Sequence, residues 1–81
     1  MAFSVYIVSC SDGSLYVGYT TNIERRLHQH NHLKSGAHYT KQRRPVCLVY
    51  RKTYRTLGKA LREEYKIKQL TREKKLELIE F

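Results

Sequence analysis

Arg26 and His30 stand four positions apart within LYVGYTTNIERRLHQH, residues 15 to 30, so a helix there stacks them on one face. Ile23 and Leu27 lie close to that face, which puts Arg26 at the edge of a core-facing stripe and turns Arg25 away from it. Taken alone, such an arginine covers apolar surface with its stem and sends its head to water. A second helical stripe is formed by Leu57, Ala60, Leu61 and Ile67, and Glu64 falls near its middle while Glu63 falls at its margin. A carboxylate in that position is costly unless it is paired or coordinates a metal. A structural ion pair with an arginine or a solvent-facing helix would also account for it, but the other residues along that line are apolar. Tyr6 and Tyr16 sit on either side of a tight turn at even spacing, so neighbouring strands can hold both hydroxyls near one point. With 7 tyrosines in the chain some must fall on strands by chance, and Tyr50, Tyr54 and Tyr65 read as core or stacking residues. A carboxylate, an arginine, a histidine and two phenols meeting on a basic surface are the parts of a phosphodiester site.

The elements that must position them follow from local pattern. FSVYIVS (3–9) and SLYVGY (14–19) are rich in β-branched and aromatic residues, and the Asp-Gly of CSDGS between them predicts an antiparallel hairpin. Thr21 and Glu24 fit a capping box for a helix from about Asn22 to His30. NHLKSGAHYTKQRR (31–44) has no clear period and reads as a long, basic surface loop. Pro45 opens a third strand, VCLVYRKTY, whose apolar start suits the middle or inner face of a small sheet. Thr56 caps a second helix ending near Leu70, and Thr71 a short third one carrying Leu76, Ile79 and Phe81. The expected fold is α+β, a three-stranded antiparallel sheet flanked by helices in the order β-β-α-β-α-α, as one domain over residues 1–81.

Composition narrows the partners. The chain has 81 residues and carries 16 Lys and Arg against 7 Asp and Glu, a net charge of +9. That balance, spread over both helical regions and the loop between them, favours a broad polyanion over a bilayer. No apolar run approaches the length of a spanning helix, and MAFSVYIVSCSDG reads as a strand and not as a signal peptide. Cys10 and Cys47 make no CxxC and read as two buried, reduced thiols, which predicts a cytoplasmic location. His28, His30, His32 and His38 lack the paired cysteines or HExxH pattern of a zinc site.

The ordered set Val5-Tyr6-Ile7, Tyr16-Val17-Gly18, TTNIERRLHQH, GAHYT and LREEYKIKQLTREKK resembles the GIY-YIG nucleases, in particular their small single-domain, UPF0213-like members. The resemblance implies a single divalent ion, Mg²⁺ or Mn²⁺, held by Glu64 mainly through water, and a catalytic set of Tyr6, Tyr16, Arg26, His30 and Glu64. Either tyrosine would position or deprotonate the attacking water, with His30 sharing the proton transfer. Gly18 would let the chain leave the strand without bulk near the scissile phosphate. Around it, Arg25, Lys34, His38, Lys41, Arg43 and Arg44 would contact nucleic acid, DNA ahead of RNA, with weak sequence preference and the chain acting as a monomer. Two departures stand out: the first triplet reads VYI, and TREKKLELIEF has no asparagine where many catalytic members carry one. The second departure keeps another reading open, a nucleic-acid-binding module with the nuclease fold and little or no catalysis.

Overall fold

A computed structural model describes residues 2–32 and 38–79; expectations placed on Lys34, on the side chain of His38 and on Phe81 lie outside the described residues. The element order is β1 (Phe3–Ser9), β2 (Leu15–Thr20), α1 (Ile23–His32), α2 (His38–Lys41), β3 (Cys47–Tyr54), α3 (Leu57–Gln69) and α4 (Arg72–Ile79). The expected α+β order is present, with α2 added inside the segment read as loop.

The three strands are antiparallel in the spatial order β2-β1-β3. β1 is the central strand because it is apolar on both faces; it is buried from Ser4 to Val8. β3, whose apolar start suited the middle or an inner face of the sheet, is an edge strand. Its second half places Arg51, Lys52 and Thr53 in solvent, and a register shift opposite Ile7 and Val8 bends it.

Strand alternation splits β1 between two cores. Val5 and Ile7 join Val17, Ala60 and Ile67 under α3, with Leu78 and Ile79 of α4 packed alongside. Tyr6 and Val8 face the other way, onto Cys10, Ile23 and Val46, with Leu27 of α1 against them. The sheet is thus a middle layer, and Tyr6 is the polar-tipped residue on its α1 side. Cys10 is buried as expected, but Cys47 is exposed because it begins the edge strand.

Caps and turns set the element ends. The β1–β2 turn is tied by Asp12, whose Oδ1 accepts from the Ser14 amide at 3.0 Å, while Gly13 takes φ 85°. At the start of α1 the cap is Asn22 and not Thr21: Asn22 Oδ1 accepts from the Arg25 amide at 3.0 Å. Thr20 in turn holds the Asn22 amide at 3.1 Å, so the chain enters the helix one residue later than the sequence suggests. Thr56 and Thr71 cap α3 and α4 as expected, accepting from Lys59 and Lys74, each at 3.2 Å.

Candidate active site

The strand register brings the tyrosines together. Tyr6 is opposite Gly18 and Tyr16 opposite Val8, so both side chains rise on the α1 face. An added Cβ on Gly18 would sit 2.7 Å from Tyr6 Oη and 2.9 Å from its Cζ. Gly18 therefore clears space for the Tyr6 ring, and β2 continues past it to Thr20; the expectation that the chain leaves the strand at Gly18 is corrected.

His30, in the last turn of α1, points into the same space and is fully buried. Its Nε2 lies 2.7 Å from Tyr6 Oη and its Nδ1 2.8 Å from Thr40 Oγ1, a residue of α2. Both tyrosine rings meet the imidazole edge-on, with centroids 5.7 Å away for Tyr6 and 5.4 Å for Tyr16. Burial pushes His30 down to about 4, and the guanidinium groups of Arg26 and Arg44 add to the shift, so the ring is neutral near pH 7.

Arg26 hydrogen-bonds the Tyr6 hydroxyl, and its Nη1 donates to Gln29 Oε1 at 3.0 Å, which fixes the guanidinium beside the phenol. Burial raises the Tyr6 pKa above its ordinary value; the hydrogen bond and charge of Arg26 pull it back, and Tyr16 and Glu64 push it further up. Tyr6 thus keeps its proton. Arg25, as expected, faces solvent.

Glu64 acts on Tyr6 from α3. It lies between the buried Ala60 and Ile67, with its side chain 15% exposed, whereas Leu57 and Leu61 are 41% and 40% exposed. The buried stripe is therefore narrower than the sequence suggested and runs through Glu64 all the same. Glu64 pairs with Lys68 at 3.4 Å. Glu63 pairs with Lys66 at 3.2 Å, not with Lys59, and raises the pKa of Tyr50 and Tyr54 after burial has done so. The two carboxylates serve different parts of the sheet.

The donor chemistry limits which ion this place could take. Among the described residues no three His, Cys, Asp or Glu gather into a metal-binding group. Glu64 is a sheltered oxygen donor that already holds a cationic ammonium. A lone carboxylate is the donor type of Mg²⁺ or Mn²⁺, which keep most of their hydration, and not the nitrogen and sulfur set of zinc.

A layer that the sequence did not reveal covers the site. Tyr39 stacks on Tyr16 with centroids 5.9 Å apart, and Arg43 lies 4.0 Å over the Tyr39 ring. Arg43 Nε also donates to Asp12 Oδ2 at 3.0 Å, tying α2 to the hairpin turn. Arg44 donates to the carbonyls of His30 and Gln29 and closes the end of α1. Arg43 and Arg44, read as nucleic-acid contacts, thus have structural partners, while Lys41 is exposed. Thr40, Tyr39 and Lys68 are the residues missed. Lys68 carried a signal in its i+4 spacing from Glu64, and Tyr39 and Thr40 lie in the GAHYT stretch, which gave them no role.

A family model described as the GIY-YIG catalytic domain matches residues 2–77. A UPF0213 protein of Desulfotalea psychrophila is 54% identical over 78 residues, which is 96% of this chain and 71% of that protein. One from Staphylococcus aureus is 57% identical over 75 residues, 93% of this chain and 90% of its own length. The solution NMR structure of a Bacillus halodurans UPF0213 protein superposes with a TM-score of 0.63 at 43% identity, covering 98% of this chain and 83% of that one.

Proposed function

The chain belongs to the GIY-YIG family, and from that premise we propose that it is a divalent-metal-dependent endonuclease that hydrolyses phosphodiester bonds, in DNA ahead of RNA. The observation that carries the reading is the meeting of Tyr6, Tyr16, His30 and Arg26 on one sheet face, with Glu64 acting on the same phenol.

The two tyrosines, interchangeable in the sequence, have different surroundings. Tyr6 is 1% exposed, with its oxygen facing Arg26 and its hydroxyl against His30. Tyr16 is only half-buried. Tyr16 therefore takes the role of accepting a hydrogen bond from the attacking water and aiming it at phosphorus. Tyr6 holds Arg26 in place, and the guanidinium, with its fixed fork of donors, stabilises the charge that builds on the phosphoryl oxygens. A divalent ion bound at Glu64 would supply Lewis-acid relief of charge on the phosphate and the leaving oxygen. His30 is a poor base at rest, and a phosphate drawing on Arg26 would raise its proton affinity.

The alternative, a nucleic-acid-binding module, is favoured by one observation: Glu64 is already neutralised by Lys68. The deciding experiment is a Mg²⁺ and Mn²⁺ cleavage assay on supercoiled, single-stranded and branched DNA and on RNA. Turnover that disappears in Arg26→Ala and Glu64→Gln, both still folded by circular dichroism, supports the nuclease. Binding without turnover on every substrate leaves the module.

A further inference from the structure

Thr40 ends the GAHYT stretch without any role assigned to it, yet it is fully buried and its hydroxyl reaches the far nitrogen of His30 at 2.8 Å. The direction of the hydrogen bonds along this chain can be worked out from the fixed end. A guanidinium has donors and no acceptor, so the Tyr6 oxygen accepts from Arg26. Among the described residues the other partner of that hydroxyl is His30 Nε2, at 2.7 Å, so the phenol proton goes there. Nε2 must then be bare, and the single proton of the neutral ring sits on Nδ1, where its partner among the described residues is Thr40 Oγ1.

We propose that Thr40 is a positioning residue: by accepting the Nδ1–H of His30 it holds the tautomer that keeps Nε2 open to Tyr6 and leaves the Tyr6 oxygen turned to Arg26. Its own place is fixed by α2. The Thr40 carbonyl accepts from the Arg43 amide at 3.0 Å, and the adjacent Tyr39 is clamped between Tyr16 and Arg43. A short helix in the basic segment thereby grips two candidate catalytic side chains through neighbouring residues. The consequence for catalysis rests on the nuclease reading; the tautomer does not.

The test is ¹⁵N NMR of the imidazole nitrogens, in which protonated and bare nitrogens resonate far apart, on the full chain and on Thr40→Val and Thr40→Ser. Expected are a protonated Nδ1 and a bare Nε2 in the parent chain, the same in Thr40→Ser, and a switch toward Nε2–H in Thr40→Val. With a cleaved substrate in hand, Thr40→Val should lose kcat by roughly 10- to 100-fold, as when the outer partner of a metal-ligating histidine is removed. KM should hardly move, and Thr40→Ser should restore most of the rate. A parent chain protonated on Nε2 overturns the proposal, as does an unswitched Thr40→Val or a normal kcat beside a switched tautomer. If no substrate is cleaved, the nuclease reading fails and the nitrogen spectra still decide the tautomer, including in a Thr40→Val chain that melts earlier.

Discussion

Glu63 and Glu64 are adjacent on α3 and act on different tyrosines, Tyr50 and Tyr54 for the first and Tyr6 for the second. Glu64→Gln should therefore remove the response to Mg²⁺ in NMR shifts and any cleavage, while Glu63→Gln leaves both; the reverse pattern would move the site to the other carboxylate. The same contrast holds on α1, where Arg26→Ala should cost a factor of about 10² to 10³ in rate and Arg25→Ala little, measured as kcat on one substrate. Helical phase made Glu64 legible because Ala60 and Ile67 bracket it at i−4 and i+3 and both are buried. Phase could not show that Leu57 and Leu61 stay exposed, since that depends on how much of α3 the sheet covers.

Asn31 joins elements that the sequence keeps apart. Its side-chain amide accepts from the Val46 amide at 2.8 Å and donates to the Val46 carbonyl at 3.1 Å, fastening the end of α1 to the approach of β3. Asn31→Ala should cost about 1 to 3 kcal/mol in urea unfolding, because it strips two backbone groups of partners in a partly buried place; a loss no larger than that of an exposed α4 residue would count against the link. The hairpin, α3 and α4 were legible because an Asp-Gly turn and two threonine caps act through nearest neighbours. The contacts of α2 were not: Thr40 and Tyr39 act across the fold, on His30 and Tyr16, and leave no period in the sequence. The strand order stayed open for a related reason, since β3 begins as apolar as β1 and its exposed Arg51 and Lys52 mark it as an edge.

At the scale of the molecule, charge should govern both binding and stability. With a net charge of +9, nucleic-acid affinity should fall with salt, each phosphate neutralised adding about 0.7 to 0.9 to the log–log slope. Lys41→Gln should lower that slope without changing the melting temperature, whereas Arg44→Ala should lower the melting temperature too, because it holds the last carbonyls of α1. An affinity that ignores salt would rule out the polyanion reading. Stability should also depend on pH through His30. Above its ordinary value of 6.5 the ring is neutral folded and unfolded; below it the unfolded chain takes a proton that the buried ring refuses until about 4. Stability should therefore drop as pH falls from 6.5 to about 4, by about 3 kcal/mol from this group. Urea unfolding at both ends of that window, set against His30→Gln, isolates the difference; equal slopes would show the ring to be protonated in the fold.

The Tyr6 ring occupying the space above Gly18 has a consequence for how such chains vary. The two triplets are separate words in the sequence, but their key letters share one volume, so neither can drift alone. In a library randomised at both positions and selected for folding, a side chain at 18 should survive only beside a smaller residue at 6, and tyrosine at 6 should return only with glycine at 18. The signature is in this sense a single correlated pair, written in two places by the antiparallel register.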